Sequence, residues 1–110
     1  MSLGVYLYHT EDFRGELYEA NITHNLGGMA AVADLYKPLW RPEELNIIKA
    51  EQLIPYLEVG LEKLRNLDDE TIEKHTPSNG WGSYDGLLRF TENYLVACIE
   101  FPDAYIDASR

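Results

Sequence analysis

Residues 103–109 read DAYIDAS, and the fold turns on how this tail is read. Ala104, Ile106 and Ala108 alternate with Tyr105 and Asp107, the period-two pattern of a strand with one buried face. The other end of the chain carries the same pattern. In GVYLYH, residues 4–9, Val5, Leu7 and His9 alternate with Tyr6 and Tyr8, and the segment is rich in β-branched and aromatic residues. TEDFRG then reads as a turn and ELYEA, residues 16–20, as a returning strand, which predicts a β-hairpin. Its five- or six-residue loop lacks an Asn-Gly signal. Two strand-like ends that pair in one sheet also account for termini that do not read as frayed.

Between these ends the hydrophobic period lengthens. From Thr23, the residues Leu26, Met29, Ala30 and Ala33 fall three and four apart, predicting a helix that Pro38 ends, because the residue before a proline is pushed out of helical space. LWRPEE is a connector in which Pro42, Glu43 and Glu44 open a short turn. The clearest helix spans about 50 to 66, with Leu53, Leu57, Leu61 and Leu64 as its apolar stripe and Ile54 beside them. Glu58, Glu62, Lys63 and Arg65 form its solvated side, and Pro55 lies near enough to the start to cost only a small bend. DDETIEKH adds a further short turn, and TPSNGWG reads as a loop. The last helix begins at Ser83 or Tyr84, buries Tyr84, Leu87, Leu88, Tyr94, Leu95 and Cys98, and stops at Pro102. The predicted architecture is one α+β domain over residues 1–110 in the order ββαααβ. A small antiparallel sheet, the N-terminal hairpin plus the C-terminal strand, packs against about three helices.

Composition narrows the function classes. The 110 residues suffice for one modest core, and 45% apolar with 25% charged residues is ordinary for a folded domain. Nineteen acidic residues against nine basic ones leave a formal charge of −10. Such a surface repels phosphate backbones, so direct nucleic-acid binding is not expected, whereas a basic partner protein is attracted. The single cysteine, Cys98, permits no internal disulfide and reads as a small core residue. No apolar run reaches membrane length and no signal-peptide pattern opens the chain, so the expectation is a cytoplasmic protein without membrane contact. A core this small is also compatible with homo-oligomers.

Two polar clusters stand out. ANITHNLGG, residues 20–28, feeds straight into the first helix. Asn21 or Thr23 suits an N-cap, but one cap does not require His24 and Asn25 as well. Nor does it explain two glycines in the first helical turns, each costing about 1 kcal/mol relative to alanine. They suit a place where a backbone or ligand approaches closely, and the helix N-terminus offers spare amides to an anion. SNGWG, residues 78–82, combines a tight Asn-Gly turn with Trp81 between two glycines, either a plug at the core edge or a stacking face. The three histidines, His9, His24 and His75, lie on different elements without paired spacing, so no metal site is expected. No catalytic constellation or cofactor motif is present. A Cys98–His24 pair has no support in the spacing, and the carboxylate runs suit helix starts and solubility.

With ANITHNLGGMA, KAEQLIPYLEVGLEKL, SNGWGSYDGLLRF and YLVACIEFPDAYIDASR laid out, the chain resembles a family of small uncharacterised proteins of bacteriophages and bacteria. Its members carry an N-x-T-x-N-L-G-x-M segment and an N-G-W-G loop. Thr23, Asn25, Met29, Asn79, Gly80, Trp81 and Gly82 match that pattern. The resemblance implies a phage-associated setting in which small proteins inhibit host defence by binding a protein or sequestering a nucleotide signal, an analogy about a class of genes.

Together these readings predict a non-enzymatic binding protein with a pocket where the THNLGG helix start meets the NGWG loop. Thr23 and the early helix amides would hold an anionic or polar group, with Asn25 and Asn79 as donor and acceptor edges. His24 would donate, Trp81 would stack, and Gly82 would complete the loop. A nucleotide-like ligand suits that mixture, and no cofactor is expected. The alternative is an acidic interaction module, an inhibitor of a basic host protein, in which both motifs are architectural. An enzyme using His24 for acid–base chemistry ranks third.

Overall fold

A computed structural model describes residues 1–110. Strand β1 (Ser2–Tyr8) turns into β2 (Glu16–Thr23), and the tail returns as β3 (Tyr105–Ser109). The sheet order is β2-β1-β3 and both pairings are antiparallel. The tail therefore lies against the first strand, Val5 opposite Ala108 and Leu7 opposite Ile106. Alternation decides which face is covered: Leu3, Val5 and Leu7 have no exposed surface and meet the helices. The hairpin loop is longer than expected. β1 stops at Tyr8, and His9 instead donates its backbone N–H to the Gly15 carbonyl at 2.9 Å.

The helical layer holds five α-helices where the sequence pattern suggested about three: α1 (Gly27–Val32), α2 (Tyr36–Trp40), α3 (Ala50–Arg65), α4 (Asp69–His75) and α5 (Tyr84–Glu100). The long helices follow their stripes. Leu53, Leu57, Leu61 and Leu64 of α3 are buried, as are Leu87, Tyr94 and Cys98 of α5. The two pack side by side, and the Tyr84 hydroxyl donates to the Leu64 carbonyl at 2.7 Å. α5 also packs on β2, where Tyr94 stacks on Tyr18 at 6.0 Å. No helix is long and apolar enough to cross a membrane.

The first helix departs most from its expectation. It ends at Val32, well before Pro38, because Asp34 takes a left-handed conformation, φ 58°. The Leu35 N–H then returns to the Ala30 carbonyl at 2.8 Å and the Asp34 N–H to Ala31 at 3.1 Å, a Schellman closure with aspartate where glycine is usual. Pro38 sits inside α2 as its third residue. It is tolerated there because first-turn amides have no helical acceptor to lose. The closure drives Leu35 into the core against Gly60 of α3. A Cβ on Gly60 would stand 2.2 Å from Leu35 Cδ2.

Candidate functional site

Strand β2 runs three residues past its expected end, so Asn21 and Thr23 are strand residues and Asn21 is not a helix cap. Asn21 stands opposite Gly4, and its Oδ1 accepts from the Ser2 hydroxyl at 2.9 Å. Thr23, opposite Ser2, caps a 3₁₀ turn over His24–Leu26: its Oγ1 accepts from the Asn25 N–H at 3.3 Å. Two of the amides expected to face an anion are engaged within the chain: Thr23 Oγ1 takes that of Asn25, and the His24 carbonyl takes that of Gly27.

Beside this junction lies an open cleft of about 630 Å³, bounded by Met1 and Ser2, by residues 21–25, and by Trp81. Its size is that of a small-molecule site. In a chain of formal charge −10, no aspartate, glutamate, lysine or arginine side chain lines it. The cleft is polar through hydroxyl, amide and imidazole groups.

The second motif reaches the same place. The Asn79 side chain accepts from the Trp81 N–H at 3.0 Å, while Gly80 and Gly82 take φ of 77° and 112°. This turn sets Trp81 at the cleft with 69% of its surface exposed, so the indole is not a core plug. Gly82 seats the loop. A Cβ there would stand 2.8 Å from Thr23 Cγ2 and 2.9 Å from Leu26 Cγ, leaving no room for a side chain between the loop and the cap. Of the six residues singled out, Thr23, His24, Asn25 and Trp81 line the cleft. Gly82 packs behind Thr23, and Asn79 is taken up in shaping the turn.

His24 faces two ways. Its residue lines the cleft, yet Nε2 is buried with no hydrogen-bond partner. The ring meets Trp40 edge-on at 6.3 Å, and Trp40 in turn stacks on Tyr36 at 5.5 Å. An unpaired buried nitrogen costs about 1–3 kcal/mol, so the imidazole is held by aromatic packing at the expense of a polar atom. Gly27 and Gly28 do not mark a close approach. A Cβ on either would meet Tyr36 or His75 at an ordinary 3.5–3.6 Å.

Chemistry elsewhere is sparse. Burial pushes the Cys98 thiol up to about 12, so it is a neutral, enclosed group rather than a nucleophile. No three His, Cys, Asp or Glu side chains converge to hold a metal ion. Sequence reasoning did not find Ser2, Asn21 and Ile22 in the cleft wall, because the polar run was assigned to the helix. The strand alternation continuing through Ile22 was the available signal. No family model matches the chain, and neither does any curated protein or solved structure.

Proposed function

We propose that this is a non-enzymatic binding protein that takes a small polar, nucleotide-like ligand in the cleft between residues 21–25 and Trp81. The observation that carries this reading is the indole: exposed, on a backbone held by an Asx turn and a glycine-seated loop, at the mouth of a polar cleft without acidic or basic side chains. A base stacked on an aromatic ring gains about 1–3 kcal/mol, and the ring needs no opposite charge to do so. The Asn25 side chain has no hydrogen-bond partner within the protein and supplies a donor–acceptor edge. With no lysine or arginine side chain in the lining, the base and sugar occupy the cleft while any phosphate lies toward solvent. A phage-associated role in sequestering a nucleotide signal, implied by the motif resemblance, belongs to the same proposal.

Native mass spectrometry of protein taken directly from cells tests the reading. The expected result is a reproducible mass excess, lost on denaturation and lost from folded Trp81→Ala and Asn25→Ala variants. A bare chain mass, or an excess that both variants keep, overturns it.

A further inference from the structure

The sheet face turned away from the helices is uncovered, and its register composes it. Directly opposed residues of an antiparallel sheet share a face. Tyr6 therefore lies in one row with Glu19 and Asp107, and Tyr8 in the next with Glu16 and Tyr105. All six are exposed or half-buried. The Tyr6 and Tyr8 rings stack at 5.9 Å with planes 18° apart. Tyr6 lies down over Gly4, where a Cβ would meet its hydroxyl at 2.9 Å, so the ring offers a flat surface along the strand. Phe13 extends the stripe. It packs on Tyr8 at 5.4 Å from a left-handed backbone, φ 60°, while 47% of its surface stays exposed. A non-glycine residue held there is a strained arrangement of the kind that clusters at functional surfaces.

The unpaired charges around these rings are of one sign. Burial raises the Tyr8 phenol, and Asp107, Glu16 and Glu19 raise it further, so three carboxylates act on one ring. Two cations lie nearby and both are engaged. Arg14, at the hairpin tip, pairs with Asp12 at 3.0 Å, and Lys49 stands over the Tyr105 ring at 5.3 Å. Lys49 shows the binding mode within the chain itself, a cation resting on a tyrosine of this face. Glu16, Glu19 and Asp107 have no ion-pair partner.

We propose that this face docks an arginine-bearing segment of a partner protein, its guanidinium groups lying flat on Tyr6 and Tyr8 and pairing with Glu16, Glu19 and Asp107. Arginine is favoured over lysine because its planar group stacks on a ring while its edge donates to carboxylates. Nucleic acid, which could also stack on the rings, is repelled by the same carboxylates. The surface is separate from the cleft lining and does not depend on the ligand there.

The test is a titration of the isotope-labelled full chain with a short peptide of alternating glycine and arginine, and with its lysine counterpart, followed by amide NMR. At about 50 mM salt the arginine peptide saturates one site, with shifts concentrated at residues 4–8, 16–21 and 105–109. Binding weakens at about 300 mM salt, where exposed charges are screened within a few ångströms. Each ring contributes about two- to fivefold to the affinity of a stacked cation, and the planar guanidinium is preferred over the ammonium. Tyr6→Leu with Tyr8→Leu removes that preference, and Glu19→Gln with Asp107→Asn weakens both peptides without touching the core. Equal affinity for the two peptides, shifts scattered over the acidic surface, or no binding overturns the proposal. So does salt-insensitive binding of a neutral oligosaccharide alone, which would reassign the rings to sugar stacking.

Discussion

Replacing Gly82 by alanine separates the loop's seat from the indole it presents. At φ 112° an L-residue is strained by about 1–3 kcal/mol. The new Cβ would also stand 2.8–2.9 Å from Thr23 and Leu26, against 3.4–4 Å for ordinary contact. Leu26 is 1% exposed and has nowhere to go, and overpacking of this kind costs about 1–3 kcal/mol. The two penalties share one relief, since lifting the loop off the cap removes both. The expected loss is therefore about 2–6 kcal/mol if the loop stays seated, or less if it detaches. For a chain of this length about 4 °C of Tm accompanies each kcal/mol. Urea denaturation measures the loss, and an unchanged m-value shows that the surface exposed on unfolding is the same. Amide NMR at Thr23 and Leu26 reports detachment. Trp81→Ala is the control: the side chain is mostly exposed and its removal costs within about 0.5 kcal/mol. A Gly82→Ala protein as stable as wild type, with Thr23 and Leu26 signals unmoved, would refute the packing argument and with it the coupling of the two motifs.

Other substitutions give contrasting outcomes. Gly60→Ala drives a methyl into Leu35, so about 1–3 kcal/mol of overpacking outweighs about 1 kcal/mol of helix propensity. In a Leu35→Ala background the same change becomes stabilising, and a double-mutant cycle by urea denaturation reads the sign reversal. Gly28→Ala meets only His75 at 3.6 Å and should raise stability by about 0.4–1 kcal/mol in thermal melts, with the mass excess of the bound protein unaffected. High pH tests the Cys98 environment. The folded thiol ionises near 12 against an ordinary 9.0, so above pH 9 only the unfolded chain gains by losing the proton. Stability then falls from pH 9 to 10 with a slope approaching about 1.4 kcal/mol per unit, and Cys98→Ala flattens that segment. Native Cys98 should resist thiol reagents and react on unfolding.

Much of the architecture is legible from periodicity, because periodicity is a local property enforced by burial. The alternation at 104–108 places β3, and leucines spaced for one helix face place α3. The α+β class follows from those elements. Where two devices compete for the same residues, local pattern is not enough. Pro38 read as a terminator, but the chain already ends α1 at Val32 through a left-handed Asp34, which buries Leu35. Asn21 and Thr23 read as alternative caps; pairing with residues 2–4 keeps both in the sheet, since backbone groups there find partners across the strand, and only Thr23, at the strand's end, caps the turn that follows. The convergence of Thr23 and Trp81 was expected from composition alone. What only the tertiary structure decides is how they meet: Gly82 packs under Thr23, Asn79 is consumed by its turn, and His24 is wedged against Trp40. The same holds for the tyrosines of the open sheet face, whose carboxylate neighbours come from strands about ninety residues apart in sequence. Register is a long-range property, and the sequence by itself determines which faces are apolar but not which residues stand opposite one another.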